Sequence, residues 1–290
     1  MIQLASYNIQ YGKGKDDRYD LDRIVAELGE QDLIALQEVE CNAQRSCMVD
    51  QARGIAARLP DLHWVYGPGI DLDASDMVDG KPQHRRRQFG NMVLSRWPIL
   101  SSINHTLPKI ALHGIFHLQR TLIETVIDAP GGPLRFCSVH LDHVSTDTRM
   151  AQVDYMVDIL LRGHERGASA GGMAAGSEWW DRPLPPQPMT AIVMGDMNFQ
   201  PDGPEYTRIT GDRSQMHGRT TRAHGLADAW TLTGHDEMAG DTIPRDGCAA
   251  RRIDHCFVTT DLVAAVTRME IGEQAQGSDH QPIFVTLDRG

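Results

Sequence analysis

Apolar and polar residues alternate along the start of the chain and then change to a helical spacing. Residues 2–9 alternate in the manner of a strand, and residues 33–36 form a short apolar run that is typical of a buried strand. Apolar residues recur at helical spacing over 21–28 and again over 52–59, where Pro60 would end the second helix. The chain is therefore predicted to open as strand, helix, strand, helix.

The middle of the chain contains further apolar runs that are separated by Pro or Gly turns. These runs cover residues 90–95, 98–107, 118–128 and 133–141. Runs joined by such short turns predict a mainly antiparallel sheet section. A helix is predicted next over residues 150–160, with Ser145 or Thr146 as its N-cap and Gly163 as its end.

Two stretches lack this periodicity. Residues 67–88 are polar and predict a long surface loop, while residues 163–188 are rich in Gly, Ala and Pro. The second stretch lies between two strands that both end in candidate site residues, so an excursion within one domain of residues 1–290 fits better than an interdomain linker. Trp179 and Trp180 in this stretch either cover a pocket as a lid or pack onto the body.

The composition limits the classes of partner. A net charge of -11 repels polyanions at long range, whereas nonspecific nucleic-acid binders are usually basic. The 5 cysteines are an odd number without a CxxC pair, which indicates neither a disulfide framework nor a zinc ribbon. Without a predicted signal peptide or transmembrane segment, the expected location is the cytoplasm.

Polar residues with chemical potential stand at the ends of the apolar runs. They are Asn8, Glu38, His140, Asp196 with Asn198, Asp254, and Asp279 with His280. Strands that end at a common edge would bring these carboxylates, amides and imidazoles together. Such a set suits the hydrolysis of a phosphate ester, which needs a cation, an activated water and donors to the phosphoryl oxygens.

Two of these residues are candidate ligands for a hard cation. The carboxylate of Glu38 and the amide oxygen of Asn8 are the oxygen ligands that Mg2+ or Mn2+ prefers. Taken singly, a glutamate at a strand end can instead be ion-paired or solvent-exposed, and an asparagine can be a turn residue. The pairing of the two favours the cation site.

The remaining residues suit proton transfer and oxyanion binding. Asp196 can hold or deprotonate a water while the Asn198 amide donates to a phosphate oxygen, although both can instead bond their own loop backbone. Asp254 can fix the tautomer of His280, and Asp279 can share that task or bind metal. His140 can donate to a phosphate oxygen or the leaving group, or it can be a core histidine.

Taken in order, these motifs resemble the endonuclease/exonuclease/phosphatase superfamily, which has the deoxyribonuclease-I-like fold, from Asn8 to His280. The resemblance implies an α+β fold, a four-layer sandwich of two packed, mixed and mainly antiparallel sheets flanked by helices. It also implies a hydrolase of phosphodiesters or phosphomonoesters that depends on Mg2+ or Mn2+.

The resemblance further implies a role for each matching residue. Glu38 would be the principal metal ligand, with Asn8 beside it and Asp279 contributing. The implied catalytic residues are His140, Asp196, Asn198, Asp254 and His280. Gly90-Asn91 matches a family GN pair, so Asn91 is expected to reach the substrate, and Arg120 either meets a phosphate or forms a cross-strand salt bridge.

Three functions follow as hypotheses. The favoured one is a metal-dependent phosphoesterase for a small or lipid-derived ester, because the chain is acidic and the polar set is complete. A Mg2+-dependent nuclease acting on DNA or RNA is the alternative, with the basic run from His84 to Arg87 as its candidate anchor. A catalytically silent binding module on the same scaffold is the third.

Overall fold

The computed structural model describes residues 1–170, 184–244, 247–249 and 251–290. Numbered along the chain, its strands are β1 (Ile2–Asn8), β2 (Leu33–Cys41), β3 (His63–Asp73), β4 (Asp76–Val78), β5 (Lys81–Gln83), β6 (Arg86–Ser95), β7 (Ile99–Thr106), β8 (Thr121–Ile127), β9 (Leu134–His140), β10 (Ala191–Asp196), β11 (Arg213–Ser214), β12 (Gly218–Arg219), β13 (Leu226–Asp228), β14 (Asp254–Thr259), β15 (Val266–Ile271) and β16 (Ile283–Leu287). The α-helices are α1 (Leu21–Leu28), α2 (Gln51–Arg58), α3 (Thr146–Arg166), α4 (Pro204–Thr210) and α5 (Ala229–Leu232).

Most strands belong to two six-stranded sheets. The first sheet has the order β15-β16-β1-β2-β6-β3, and the second has the order β13-β14-β10-β9-β8-β7. Each sheet contains one parallel pair, β1 with β2 and β9 with β10, while its other neighbours are antiparallel. The predicted mixed, mainly antiparallel sheets are confirmed.

Three apolar clusters separate four layers. The central cluster lies between the sheets and includes Leu4 and Phe136, both fully buried. A second cluster packs α1 and α2 on the outer face of the first sheet through residues such as Ile24. A third packs α3 and α4 on the outer face of the second sheet through Val153 and Tyr206. The predicted four-layer sandwich is therefore confirmed.

Side-chain alternation decides what faces the gap between the sheets. On β1, Leu4 points into the central cluster, whereas Ala5 and Tyr7 belong to the cluster beneath the helices. The same alternation runs along β9, β10 and β14. Strands β9 and β10 end, and the antiparallel β14 begins, with a polar residue on the inter-sheet face. The apolar layer between the sheets thus gives way to polar groups at one edge.

Helix α3 extends beyond the end predicted at Gly163. It continues to Arg166 with a distortion at Arg162, whose φ and ψ are -117° and 19°. The buried guanidinium of Arg135 donates to the carbonyl oxygens of Ile159 and Leu160, and a Cβ on Gly163 would lie 2.4 Å from Arg135 Nη1. Gly163 therefore makes room for a side chain of the sheet and does not end the helix.

The loop predicted over residues 67–88 is wrong. Strands β3 and β6 pair through this stretch as far as Asp73 and Arg86, and the short strands β4 and β5 form its tip. The extension is largely exposed on both faces, and ion pairs such as Arg86 Nε to Asp71 Oδ1 at 2.8 Å cross it. An apolar periodicity is absent because this ladder buries little side-chain surface.

Three further predictions concern the two tryptophans, the cysteines and membrane-spanning segments. Trp179 and Trp180 lie outside the described residues, so the lid stays a prediction. The cysteines are free thiols. Within the described part of the chain, we find no helix with the length and apolarity to cross a membrane.

Candidate active site

The ends of the two parallel strand pairs meet at one edge of the sandwich. Asn8 ends β1 beside Gln37 of β2, and Asp196 ends β10 in register with His140 of β9 and Asp254 of β14. Gly195 allows the strands this close approach, because a Cβ there would lie 1.9 Å from the carbonyl oxygen of Val139. The edge therefore collects polar side chains from both sheets.

Asp196 lies at the centre of this edge and is 2% exposed. Its Oδ2 atom lies 2.9 Å from Asn8 Nδ2, 3.2 Å from His140 Nε2 and 3.6 Å from His280 Nε2. Burial raises the pKa of this carboxyl group, but the nearby imidazoles of His140 and His280 more than offset it and hold the pKa well below its usual value. Asp196 therefore stays ionised.

Asp254 and His280 form a buried pair behind Asp196. His280 Nδ1 lies 2.8 Å from Asp254 Oδ2 and donates to it, because an ionised carboxylate only accepts. Burial disfavours the charged imidazole, yet the attraction of Asp254 and Asp196 outweighs it and raises the pKa of His280 to about 10. His280 thereby presents Nε2 toward Asp196 in a fixed orientation. We call His140, Asp196, Asp254 and His280 the acid-base cluster.

Asn198 follows Asp196 in a tight turn. Its backbone N–H donates to Asp196 Oδ1 at 3.0 Å, and its Nδ2 donates to the carbonyl oxygen of Leu141 at 3.1 Å. Its φ of 55° lies in the left-handed region, which asparagine tolerates. Asn198 thus bonds the local backbone and also lies beside Asp196. The predicted loop hydrogen bonds therefore do not exclude the predicted contact with a phosphate oxygen.

Glu38 reaches the same edge through a β-bulge. The register between β2 and β6 shifts between Leu36 and Val39, and Glu38 itself has a φ of 59°. A bulge changes the direction of a side chain, which lets Glu38 leave the helix-facing row of Leu36. Its Oε1 atom then lies 3.4 Å from Asn8 Nδ2.

The amide of Asn8 is oriented differently from the predicted metal ligand. Its nitrogen faces the carboxylates of Glu38 and Asp196, while its oxygen accepts the backbone N–H of Gln10 at 3.1 Å. Two carboxylates beside an amide attract its N–H groups, which explains this orientation. A bound cation would instead require the oxygen on that side.

Glu38 and Asp279 form what we call the carboxylate pair. Both are half-buried, and neither has a basic ion-pair partner in the part of the chain that the structure describes. Burial raises the pKa of Asp279 and the charge of His280 opposes this, while the negative charge of Glu38 raises the pKa further. A divalent cation would relieve this repulsion, and an all-oxygen donor set suits Mg2+ or Mn2+. The residues present therefore fit the cation.

A second group also has metal-ligand atoms close together. Atoms of Asp196, Asp254 and His280 lie within 4.8 Å of one another. These side chains are buried, and Asp254 already accepts the Nδ1 proton of His280. We therefore interpret this group as a hydrogen-bonded chain for proton chemistry and the carboxylate pair as the cation site.

Asn91 does not occupy the predicted substrate position. It is 1% exposed, and its Nδ2 lies 2.8 Å from the carbonyl oxygen of Thr121 and 3.4 Å from that of Ser138. Asn91 lies in the first sheet and both carbonyls lie in the second sheet. Its amide therefore joins the sheets beneath the site.

Arg120 differs from one of its two predicted roles. Its Nη1 lies 3.0 Å from His140 Nδ1, and its Nη2 lies 3.0 Å from His143 Nδ1. Its partners are imidazoles, and among the described residues it forms no cross-strand salt bridge, while the contact with a phosphate stays a prediction. His143 was missed by the sequence reasoning, although its position three residues after His140 was a signal.

Buried residues behind the acid-base cluster were missed as well. Thr242 Oγ1 accepts the backbone N–H groups of Ile253 and Asp254, which fixes the start of β14. On the opposite face of that strand, His255 accepts from Arg252 and donates to the carbonyl oxygen of Phe199. Nothing in the sequence pattern distinguished these residues from other strand residues.

Comparisons with known proteins agree with this arrangement. Residues 5–280 match the family model described as "Endonuclease/Exonuclease/phosphatase family". No curated protein matches the chain.

Solved structures with the same fold cover nearly the whole chain. An endonuclease/exonuclease/phosphatase from Beutenbergia cavernae DSM 12333 is 20% identical with a TM-score of 0.65, and the match covers 99% of this chain and 71% of that one. A mannosyl-6-phosphatase of Bacteroides thetaiotaomicron VPI-5482 is 18% identical with a TM-score of 0.61, covering 99% and 100%. The human Nocturnin catalytic domain with bound sulfate is 16% identical with a TM-score of 0.61, covering 99% and 93%. At these identities the likeness shows the fold.

Proposed function

The chain belongs to the endonuclease/exonuclease/phosphatase family, whose model it matches over residues 5–280, and from this premise we propose that it is a divalent-metal-dependent phosphoesterase. The convergence of Asn8, His140 and His280 on one oxygen of Asp196 carries this proposal. Residues from both sheets are needed to build that arrangement, which has no evident structural purpose as a buried charge cluster.

The acid-base cluster would act on water and phosphate. Asp196 accepts a hydrogen bond from the attacking water, and its lowered pKa suits holding that water more than storing its proton. The Asn198 amide would supply an N–H donor beside it for a phosphoryl oxygen, while His140 donates its Nε2–H to Asp196 and stabilises the charge of that carboxylate. His280, held by Asp254, offers the leaving oxygen a charged donor at Nε2.

A divalent cation held by Glu38 and Asp279, with the amide of Asn8 beside them, would supply charge stabilisation for the phosphoryl oxygens. The preferred ion is Mg2+ or Mn2+ because the donor set consists of oxygens. The acid-base cluster then needs no second cation.

A small ester is favoured over a polymer. The net charge is -11, and the arginines of the basic run are largely paired: Arg85 with Asp76 at 3.1 Å and Arg86 with Asp71 at 2.8 Å. Paired arginines attract a polyanion weakly. Arg87 meets only the carbonyl oxygen of Asn42 at 3.3 Å among the described residues, so the candidate anchor of the nuclease alternative is weakened but keeps one arginine without an ion pair.

A cleft next to the site favours an apolar leaving group. Its volume is about 590 Å3, within the size range of small-molecule sites. The apolar part of its lining consists of Ala43, Ile70, Leu72, Phe89, Phe116 and Leu118. The cleft lining includes Arg45, on which the charge of Glu38 acts, and this supports a cleft near the carboxylate pair.

Hydrolysis of p-nitrophenyl phosphate and bis-p-nitrophenyl phosphate tests the proposal. We expect turnover with Mg2+ or Mn2+, loss of turnover with a chelator, and loss in Asp196→Ala and His280→Ala. Asp61→Asn, which changes an exposed carboxylate, is the control and should retain full activity. Retained activity in both site variants would refute the proposal.

Salt dependence separates the remaining alternatives. Binding of an oligonucleotide that weakens steeply with salt would support a nuclease, and flat dependence supports the small substrate. Metal binding without turnover of any ester would favour the silent binding module.

A further inference from the structure

Arg120 is a buried cation whose hydrogen-bonding partners are imidazoles. It is 4% exposed, and among the described residues it has no carboxylate within ion-pair distance. The other deeply buried arginines differ, since Arg135 meets Glu124 at 3.1 Å and Arg252 meets Asp228 at 3.0 Å. A buried charge without an adjacent counter-charge is costly, so a structural role alone does not account for Arg120.

The two hydrogen bonds of Arg120 fix the protons of both rings. A guanidinium has only donors, so Nδ1 of His140 and Nδ1 of His143 must both accept. An accepting Nδ1 in a neutral imidazole leaves the proton on Nε2. Arg120 therefore fixes the tautomer of both His140 and His143, so that each ring can donate from Nε2.

Of the two Nε2–H groups, only that of His140 has a hydrogen-bond acceptor among the described residues. His140 Nε2 lies 3.2 Å from Asp196 Oδ2 and donates to it. His143 is exposed, and its Nε2–H, on the side of the ring away from Arg120, has no partner among the residues that the structure describes. His143 thus offers an oriented donor that the protein itself does not use.

The loop that carries His143 is rigidly held. The carboxylate of Asp142 accepts the backbone N–H groups of Val144 at 3.0 Å and Ser145 at 2.8 Å. The backbone N–H of Leu141 donates to the carbonyl oxygen of Asp196 at 3.0 Å. His143 is consequently fixed relative to Asp196 by its backbone as well as by Arg120.

The charges that act on His143 link it to the candidate active site. The ring of His143 is exposed on its outer side and covered by Arg120 on the other; this partial burial and the charge of Arg120 lower its pKa, against the attraction of Asp142 and Glu38. Burial likewise lowers the pKa of Arg120, and Glu38 opposes this. The candidate metal-binding carboxylate therefore acts on both members of the Arg120–His143 contact.

We propose that His143 is a substrate-binding residue that donates Nε2–H to a terminal oxygen of the substrate phosphate, and that Arg120 is the positioning residue that sets His143 and His140 as donors. This inference rests on the proposed phosphoesterase function. The ligand class is an anionic phosphoryl group, and inorganic phosphate, its product, is the probe.

Imidazole 15N spectra test the positioning part without any turnover. In the wild type we expect His140 and His143 to carry the proton on Nε2, with the two resonances assigned from His140→Gln and His143→Gln. In Arg120→Lys, a single ammonium cannot replace both bonds, so at least one ring should lose this tautomer. A wild-type His143 with a protonated Nδ1 would overturn the inference.

Phosphate binding and kinetics test the substrate contact. In His143→Ala we expect the Ki of inorganic phosphate and the KM of p-nitrophenyl phosphate to rise about tenfold, the effect of one lost hydrogen bond, while kcat changes little. His143→Gln keeps an N–H donor and should recover part of the binding. His217→Ala, a change to another exposed histidine, is the matched control.

The outcomes distinguish this inference from the proposed function. If the wild type hydrolyses no ester, the proposed function fails, and a shift of the His143 resonance on adding phosphate with Mg2+ still reports binding. If the wild type is active while His143→Ala matches it in Ki and KM, His143 does not bind substrate. His143→Ala also leaves Nη2 of the buried Arg120 without its partner, so its thermal midpoint should fall slightly, and phosphate binding is compared at a temperature where both proteins are folded.

Discussion

The acid-base cluster and the carboxylate pair lie at the same edge but differ in how complete they are. Members of the acid-base cluster are at most 5% exposed and are joined to one another by hydrogen bonds. Glu38 and Asp279 are half-buried, repel each other and have only weak polar contacts. The fold therefore fixes the geometry of the acid-base cluster internally, whereas the proposed cation site would be complete only with a cation bound.

The largest expected effect comes from breaking the acid-base cluster. Asp196→Asn keeps the shape of the side chain and removes its charge, so we expect kcat to fall roughly a thousandfold. Excess Mg2+ should not restore it, because the lost group belongs to the protein. Steady-state kinetics with p-nitrophenyl esters measure this, and circular dichroism checks the fold. Recovery at high Mg2+ would remove the distinction between the two parts of the site.

The buried His255, which lies behind the acid-base cluster, should make the free energy of unfolding depend on pH. Burial, together with Arg252, lowers the pKa of His255 from 6.5 to about 4. The unfolded chain takes up this proton below its ordinary pKa while the folded protein does not. Stability is therefore complete above that pKa and is lost as the pH falls toward the folded value, by about 3 kcal/mol.

Urea unfolding at neutral and acidic pH measures this loss. His255→Gln can replace both hydrogen bonds of the ring and does not titrate, so its stability should fall less over the same range. His217→Gln, at an exposed histidine, should follow the wild type. An equal fall in His255→Gln would assign the acid sensitivity to other groups.

A change to the carboxylate pair should be smaller and reversible by metal. Glu38→Gln removes one of the two charges, and we expect activity at low Mg2+ to fall about tenfold to a hundredfold. Raising the Mg2+ concentration should restore a substantial part, in contrast to Asp196→Asn. Titration of activity against Mg2+ for both variants gives the comparison, and a metal-independent defect in Glu38→Gln would contradict it.

The smallest expected effect is the change in thermal stability when Mg2+ is added. Binding of Mg2+ to the folded state alone should raise the thermal midpoint of the wild type by about 2 to 4 °C, reversed by a chelator. Asp196→Asn should keep this rise and Glu38→Gln should lose most of it. Differential scanning fluorimetry is sufficient, and equal shifts in both variants would place the cation elsewhere.

The sequence predicted those parts of the fold that burial controls. Strands β1, β9 and β10 alternate around a buried layer, so their existence and their polar ends could be inferred from the pattern. The hairpin within residues 67–88 could not, because its ladder and ion pairs leave no apolar period. The end of α3 was missed because Arg135, distant in sequence, fills the space beside Gly163.

The sequence predicted which residues gather at the site better than it predicted the partners that each side chain contacts. Residues at strand ends such as His140 and Asp196 converge as expected. Asn91 looks the same in sequence whether it faces a cleft or the space between two sheets. For Arg120 the pattern left a phosphate contact and a cross-strand salt bridge open, because it does not reveal that two imidazoles lie within hydrogen-bonding distance of the guanidinium.

Strand β1 lies between β2 and β16, so Ile2 pairs with Leu287. The closing of such a distant pair is slow in folding because a long stretch of chain must be ordered before the contact is gained. Asn8 and His280 meet only when this pairing exists. Regain of hydrolysis after dilution from denaturant should therefore lag behind the recovery of helix signal, since turnover begins only when the two most distant parts of the chain have joined.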